Sequence, residues 1–225
     1  MALFTISDLH LSFGTDKPMD KFYGWDNYVE KIYANWQRTV SEKDTVVLPG
    51  DFSWGLKLEE TLQDFLFLEK LKGKKILLKG NHDLWWSTRK KIETFFAEHH
   101  IESVSLVHNS VCETENFCIC GTRGWFFDDT ASRKVLHREA LRLEQSLRLA
   151  EQSGKRPVVF LHYPPVYNGQ ICEEIFCVLK KFGVQTVYHG HIHGAGRNHA
   201  TPEWEGIRFK LVSCDCIDFT PFQIL

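Results

Sequence analysis

Seven side chains of this sequence stand out by type and position as candidate metal ligands: Asp8, His10, Asp51, Asn81, His162, His191 and His193. Imidazole nitrogen and carboxylate oxygen suit zinc, manganese and iron. Seven donors are too many for one tetrahedral site and suit two adjacent sites that share a carboxylate. Asp8-x-His10 can chelate one ion, and His191-x-His193 can do the same or send one imidazole to each ion. Asn81 adds a neutral amide oxygen, which lowers the negative charge of the set. Two ions about 3.5–4 Å apart favour in-line displacement at phosphorus. They lower the pKa of a bound water to near 7, polarise phosphoryl oxygens and neutralise developing charge. The leaving oxygen then needs an acid. His82, between Asn81 and Asp83, is placed for that role, with Asp83 expected to hold its imidazole and raise its pKa.

The elements that position these groups follow a repeated event. Leu3-Phe4-Thr5-Ile6 stops at Asp8 and His10, Thr45-Val46-Val47-Leu48 at Gly50-Asp51, and Ile76-Leu77-Leu78 at Gly80-Asn81-His82-Asp83. Val158-Val159-Phe160-Leu161 stops at His162, and Gln185-Thr186-Val187-Tyr188 leads into Gly190-His191-Ile192-His193. Such runs read as buried strands. Between them, Tyr28, Ile32 and Trp36, then Leu58, Leu62 and Phe65, then Leu136, Ala140, Leu143 and Leu147 are spaced as helical stripes, and residues 170–182 also read as helical. The alternation predicts an α/β protein in which parallel strands bring every ligand cluster to one edge. Glycines 50, 80 and 190 let the backbone turn sharply before a ligand. Residues 102–121 read as short strands of a second, mostly antiparallel sheet, and Ile207 to Cys214 as one more strand.

Taken together, Asp8-x-His10, Gly50-Asp51, Gly80-Asn81-His82-Asp83, His162 and Gly190-His191-x-His193 resemble the calcineurin-like metallophosphoesterase superfamily, and within it the small bacterial-type predicted phosphohydrolases. The blocks occur in order over residues 8–193, with no departure at a ligand position. The resemblance implies a four-layer α-β-β-α sandwich, two mixed β-sheets flanked by helices, in one domain over residues 1–225. It implies one metal site from Asp8, His10, Asp51 and His193, and a second from Asp51, Asn81, His162 and His191, with Asp51 bridging. A hydroxide between two divalent ions (Mn, Fe or Zn) would attack a phosphate ester, with His82 assisting the leaving group. A phosphodiester is preferred over a monoester. The alternatives are a nuclease on DNA or RNA ends, a protein phosphatase, for which no distinguishing insertion is seen, and a catalytically silent scaffold of the same fold.

Arg123, in Gly121-Thr122-Arg123-Gly124-Trp125, reads either as a phosphate-binding arginine at the cleft or as a loop arginine paired with a carboxylate. Trp54, Trp85, Trp86 and Trp125 read as an aromatic wall for a flat group or as core covering the loops. Cys118-x-Cys120 and Cys214-x-Cys216 read as buried thiols on one strand face rather than a metal clamp. Lys70, Lys72, Lys74, Lys75, Arg89, Lys90 and Lys91 steer a polyanion or form a solvated face. Asp128-Asp129-Thr130 is expected to cap a helix, Tyr163-Pro164-Pro165 to stiffen the His162 loop, and His189 to pack at its strand end. His99, His100, His108, His137 and His199 read as surface residues.

Composition sets the frame. At 225 residues, 43% hydrophobic and 25% charged, the chain is an ordinary globular protein, not disordered or coiled coil. A net charge of −2 counts against wholesale nucleic-acid or membrane binding. No apolar run approaches the ~20 residues of a membrane span. Seven cysteines without an export signal read as reduced thiols of a cytoplasmic protein. The expected partner is a small phosphate ester, and the sequence leaves the oligomeric state open.

Overall fold

Strand residues alternate between two faces, so each apolar run here is buried on both sides only if a layer covers each face. The structure, a computed structural model, describes residues 1–125 and 133–225. The first half of the chain repeats strand and helix: β1 (Leu3–Thr5), α1 (Tyr28–Thr39), β2 (Thr45–Leu48), α2 (Leu62–Glu69), β3 (Lys74–Leu77), α3 (Arg89–Glu98) and β4 (Val104–Leu106). The second half begins with β5 (Cys112–Glu113), β6 (Phe117–Thr122), α4 (Arg133–Ser153) and β7 (Arg156–Leu161). A small hairpin of β8 (Val166–Tyr167) and β9 (Gln170–Ile171) precedes α5 (Glu173–Lys181) and β10 (Thr186–His189). The chain closes with β11 (Glu203–Trp204), β12 (Ile207–Leu211) and β13 (Phe222–Gln223).

One sheet has the order β13-β1-β2-β3-β4 and the other β11-β12-β10-β7-β6-β5. In the first, only β13 runs antiparallel to its neighbour. In the second, β6, β7, β10 and β12 are parallel, with antiparallel β5 and β11 at the edges. Both sheets are therefore mixed, and helices cover their outer faces. Three apolar cores separate the four layers. Phe4, Val46 and Leu48 pack with Ile32, Trp36 and Phe65 on the outside of the first sheet. Leu3, Val47 and Ile76 meet Ile119, Val158 and Phe160 between the sheets. Val159, Leu161 and Val187 pack with Leu143, Leu147 and Leu179 outside the second. The alternation within β7 thus sends Val158 and Phe160 one way and Val159 and Leu161 the other.

Three expectations are corrected. Residues 102–121 do not form an antiparallel sheet of their own. The α3 crossover returns the chain to the edge of the first sheet in the same direction, so β4 pairs in parallel with β3. Only β5 and β6 form an antiparallel pair there, and β6 then runs parallel to β7. The helix expected from residue 170 starts at Glu173. Asn168 and Gly169, at φ 49° and 74°, make the tight turn that pairs β9 with β8 instead. The last long strand ends at Leu211, and Cys214 begins a 3-10 turn. Cys214-x-Cys216 therefore shares no strand face: Cys214 is buried and Cys216 half-buried, whereas Cys118 and Cys120 are both buried against α4. The expected cap at Asp128-Asp129-Thr130 lies outside the described residues. No helix among the described residues is long and apolar enough to cross a membrane.

Leu143 is fully buried in the core under α4. Leu143→Ala is expected to cost about 2–5 kcal/mol, through lost transfer energy and a residual cavity. Denaturant unfolding against wild type measures it.

Candidate metal centre

Each motif sits just past the carboxyl end of a parallel strand, where the loops of both sheets converge. Asp8 and His10 follow β1, Asp51 follows β2, Asn81 follows β3, His162 follows β7, and His191 and His193 follow β10. The loops hold one another by backbone bonds: the Asp8 amide donates to the Gly50 carbonyl at 3.0 Å and the His10 amide to the Asp51 carbonyl at 3.0 Å. Asp8, His10, Asp51 and His191 all have positive φ, between 47° and 71°. Side chains rarely adopt that region, and strained backbone concentrates at functional sites. Of the motif glycines, only Gly50 needs a left-handed φ, at 96°. At Gly80 and Gly190 the reason is close approach, because a Cβ there would run into the carboxylates of Asp51 and Asp8 respectively.

The seven side chains meet in two adjoining groups. On one side, His10 Nε2 is 3.3 Å from His193 Nε2, 4.0 Å from Asp8 Oδ1 and 3.9 Å from Asp51 Oδ2. His193 Nε2 is 3.3 Å from Asp8 Oδ1. On the other, His162 Nε2 is 3.4 Å from Asp51 Oδ2 and 2.6 Å from Asn81 Oδ1, and His191 Nδ1 is 2.9 Å from that same amide oxygen. The ligand atoms of Asp8, His10 and His193, and those of Asp8, Asp51 and His162, each lie within 4.8 Å of one another.

The charge state of the cluster fits a cation. Burial and the carboxylates of Asp8 and Asp83 push Asp51 well above the usual carboxylate range. The residues alone therefore leave its negative charge under-compensated. Burial pushes His10 and His162 down to about 3 and His191 to about 4, so these imidazoles are neutral, the form that binds metal. Two histidines are oriented from behind: His162 Nδ1 is 3.0 Å from the Pro49 carbonyl, and His193 Nδ1 is 2.8 Å from Asp215 Oδ1. Such partners hold the inward nitrogen toward a metal. Burial alone would lower His193, but hydrogen bonds with Asp215 and Asp8 raise it to about 10.

Asp83 does not sit behind His82 as expected. Its fully buried carboxylate accepts from the amides of Asp51 (2.9 Å), Phe52 (3.0 Å), Ser53 (3.3 Å) and Gly80 (2.7 Å), and from Trp85 Nε1 (3.1 Å). These donors account for both oxygens, so Asp83 clamps the Asp51 loop to the Asn81 loop. The half-buried His82 ring instead packs 4.4 Å from Trp54 and 5.6 Å from His10, and its amide donates to Asp51 Oδ1 at 2.8 Å. Burial lowers its pKa rather than raising it.

The tryptophans divide. Trp54 stacks on His10 at 4.7 Å, beside the ligands, whereas Trp85 and Trp86 are buried in the core. Trp125 carries the Arg123 guanidinium 4.6 Å over its ring. That guanidinium is 4.0 Å from the buried Glu139. In the lysine-rich segment, three of the seven cations are engaged locally: Lys72 donates to the Gln37 carbonyl, the buried Lys75 donates to the Leu71 carbonyl, and Arg89 pairs with Glu93. His189 is buried and His99 and His108 are half-buried, while His100, His137 and His199 are exposed. The sequence reading missed Trp25, packed 5.6 Å from His193, as well as Asp215, Glu139 and Lys79. Asp215 was hidden inside a cysteine pair, and Lys79 directly precedes the Gly80 motif.

Asp215→Asn is expected to weaken metal binding 10–100-fold, because it removes the carboxylate charge behind His193, while an amide oxygen can still accept from the Gly194 amide. Metal titration by calorimetry checks this. His189 reports the cost of keeping a ring neutral without binding metal. Burial pushes it from 6.5 down to about 4, so the folded state loses stability as pH falls between those values, by about 3 kcal/mol. Denaturant unfolding of metal-stripped His189→Gln between pH 7 and 4.5 should show a flatter decline than wild type.

The calcineurin-like phosphoesterase profile matches residues 1–195. No curated protein matches this chain. Solved structures similar to it include the protein of unknown function AQ665 from Aquifex aeolicus, at 16% identity and TM-score 0.55, over 99% of this chain and 95% of that one. The phosphopantetheinyl hydrolase of Mycobacterium tuberculosis aligns at 15% identity and TM-score 0.52, over 100% and 95%. The protein TT1561 of Thermus thermophilus aligns at 14% identity and TM-score 0.56, over 85% and 81%. At these identities the likeness is one of fold. The profile match covers most of the chain and all seven clustered side chains, and the protein belongs to the calcineurin-like phosphoesterase family.

Proposed function

We propose that the chain is a phosphohydrolase with two divalent ions, acting on a phosphate ester and preferring a diester. The observation that carries this reading is the position of Asp51 Oδ2, which is 3.9 Å from His10 Nε2 and 3.4 Å from His162 Nε2. One carboxylate oxygen thus reaches both ligand groups. Asp8, His10, Asp51 and His193 would hold one ion, and Asp51, Asn81, His162 and His191 the other. When bound, such ions supply an activated water and neutralise charge on the phosphoryl oxygens.

The chain's own residues do the rest. Asp83 sets the spacing between the Asp51 and Asn81 loops. Asp215 and the Pro49 carbonyl fix the orientation of His193 and His162. Trp54 and Trp25 exclude water from the face of His10 behind the ligands. His82 stands at the rim, and its neutral ring contributes an N–H to the leaving oxygen rather than a formal positive charge. A reducing, cytoplasmic setting suits the buried thiols Cys118, Cys120, Cys172 and Cys214.

The test is manganese-dependent turnover of bis-p-nitrophenyl phosphate beside p-nitrophenyl phosphate. Wild type should cleave the diester faster. Asp51→Asn should lose at least about 10³-fold in kcat, and His82→Ala about 10²-fold with KM little changed. Full activity in Asp51→Asn, or none in wild type shown to hold two ions, would overturn the reading in favour of a binding role.

A further inference from the structure

Beside the ligand loops the described residues line a cavity of about 220 Å³. Lys79, Arg123, Arg138 and Arg142 line it together with His108 and Glu139. Among the described residues, three guanidinium groups and the Lys79 amine, whose charge burial and Arg123 disfavour, thus face one carboxylate. That carboxylate is already committed: Glu139 is fully buried, accepts from Thr122 Oγ1 at 2.7 Å through Oε2, and takes Arg142 Nη1 at 2.6 Å through Oε1. The same Oε1 is 4.0 Å from Arg123 and 3.9 Å from Arg138. A single oxygen therefore serves three guanidinium groups, each with five N–H donors. The buried Nε of Arg123 has no hydrogen-bond partner among the described residues. Asp83 is another carboxylate close enough to act on Lys79, and it already accepts bonds from its own loops. Among the described residues, Glu139 holds the arginines in place without neutralising all of them.

The cavity adjoins the metal centre. Lys79 is two residues before Asn81, so their Cα atoms are at most about 7.6 Å apart. The Arg123 carbonyl accepts from the His162 amide at 3.1 Å. Guanidinium forks match the oxygens of phosphate, and gathering several cations around one concavity strengthens the attraction.

We propose that this cavity is a second anion-binding site, which receives a phosphate group of the substrate remote from the scissile ester. The assignment to a substrate rests on the phosphoesterase reading; the anion site does not. The substrate class is then a phosphate ester carrying a second phosphate a few bonds away.

Two measurements test this. Metal-stripped full-length protein is titrated with inorganic phosphate by calorimetry. Wild type and Asp51→Asn should bind alike, and Arg138→Gln and Arg142→Gln should each weaken binding at least fivefold. Arg138 is more than half exposed, so its substitution leaves the fold intact. No saturable binding, or binding that both arginine variants retain, would overturn the site. The manganese-loaded enzyme is then given thymidine 5′-(p-nitrophenyl phosphate) with and without a 3′-phosphate. The 3′-phosphorylated probe should show at least tenfold higher kcat/KM, and Arg138→Gln should remove that preference while turning over bis-p-nitrophenyl phosphate within twofold of wild type. Phosphate binding without this preference would overturn the substrate assignment and make the ligand a free phosphate. Phosphate binding without turnover of any ester would overturn the phosphoesterase reading and its substrate, and leave the anion site standing.

Discussion

The buried carboxylate of Asp83 draws two loops from neighbouring strands around itself. It accepts three successive amides after β2, the Gly80 amide after β3 and the Trp85 indole. A buried carboxylate without donors would be very costly, while each charge-assisted hydrogen bond contributes roughly 1.5–3 kcal/mol. The loops are therefore held as one unit. Asp51, which reaches both groups, and Asn81, which joins His162 and His191, inherit their separation from that unit. Because Gly80 has no Cβ, the two loops can approach this closely.

Around this clamp the protein concentrates features that a purely stable fold would avoid. Four of the clustered residues sit at positive φ, and two carboxylates lie close together in a buried place. Three imidazoles are kept neutral by burial, and His10 Nδ1 finds no partner among the described residues. Each is unfavourable alone, and each is what a cation would relieve, by compensating carboxylate charge and by taking the lone pairs of neutral rings. The three apolar cores supply the stability that lets the strand ends remain strained.

The metal centre and the basic cavity share backbone rather than side chains. The Arg123 carbonyl receives the amides of His162 and Tyr163, so the end of β6 is registered against the end of β7. The guanidinium of the same residue turns away to Glu139 and Trp125. A strand end thus separates the cluster of carboxylates and imidazoles from a group of guanidinium side chains. A substrate with two phosphates would be oriented by both.

Strand runs ending at Asp, Asn and His, with helices between, were legible because period and composition report local burial and because parallel strands place their ends together. The convergence of Asp8, His10, Asp51, Asn81, His162, His191 and His193 follows from that, whereas the sandwich of two mixed sheets was implied by the family resemblance. Tertiary structure alone decided the rest. Alternation along Val104–Leu106 shows that it is a strand, but its sheet depends on where the α3 crossover lands. Asp83 follows His82 in sequence, yet its partner is set by which amides point inward, and those belong to a loop some 30 residues earlier. Asp215, Glu139 and Lys79 carry no periodic signal, since a charged side chain's role depends on the charges that reach it through space. Spacing records which groups share a strand end or a helix face; it holds no record of which carboxylate will meet which cation once the layers pack.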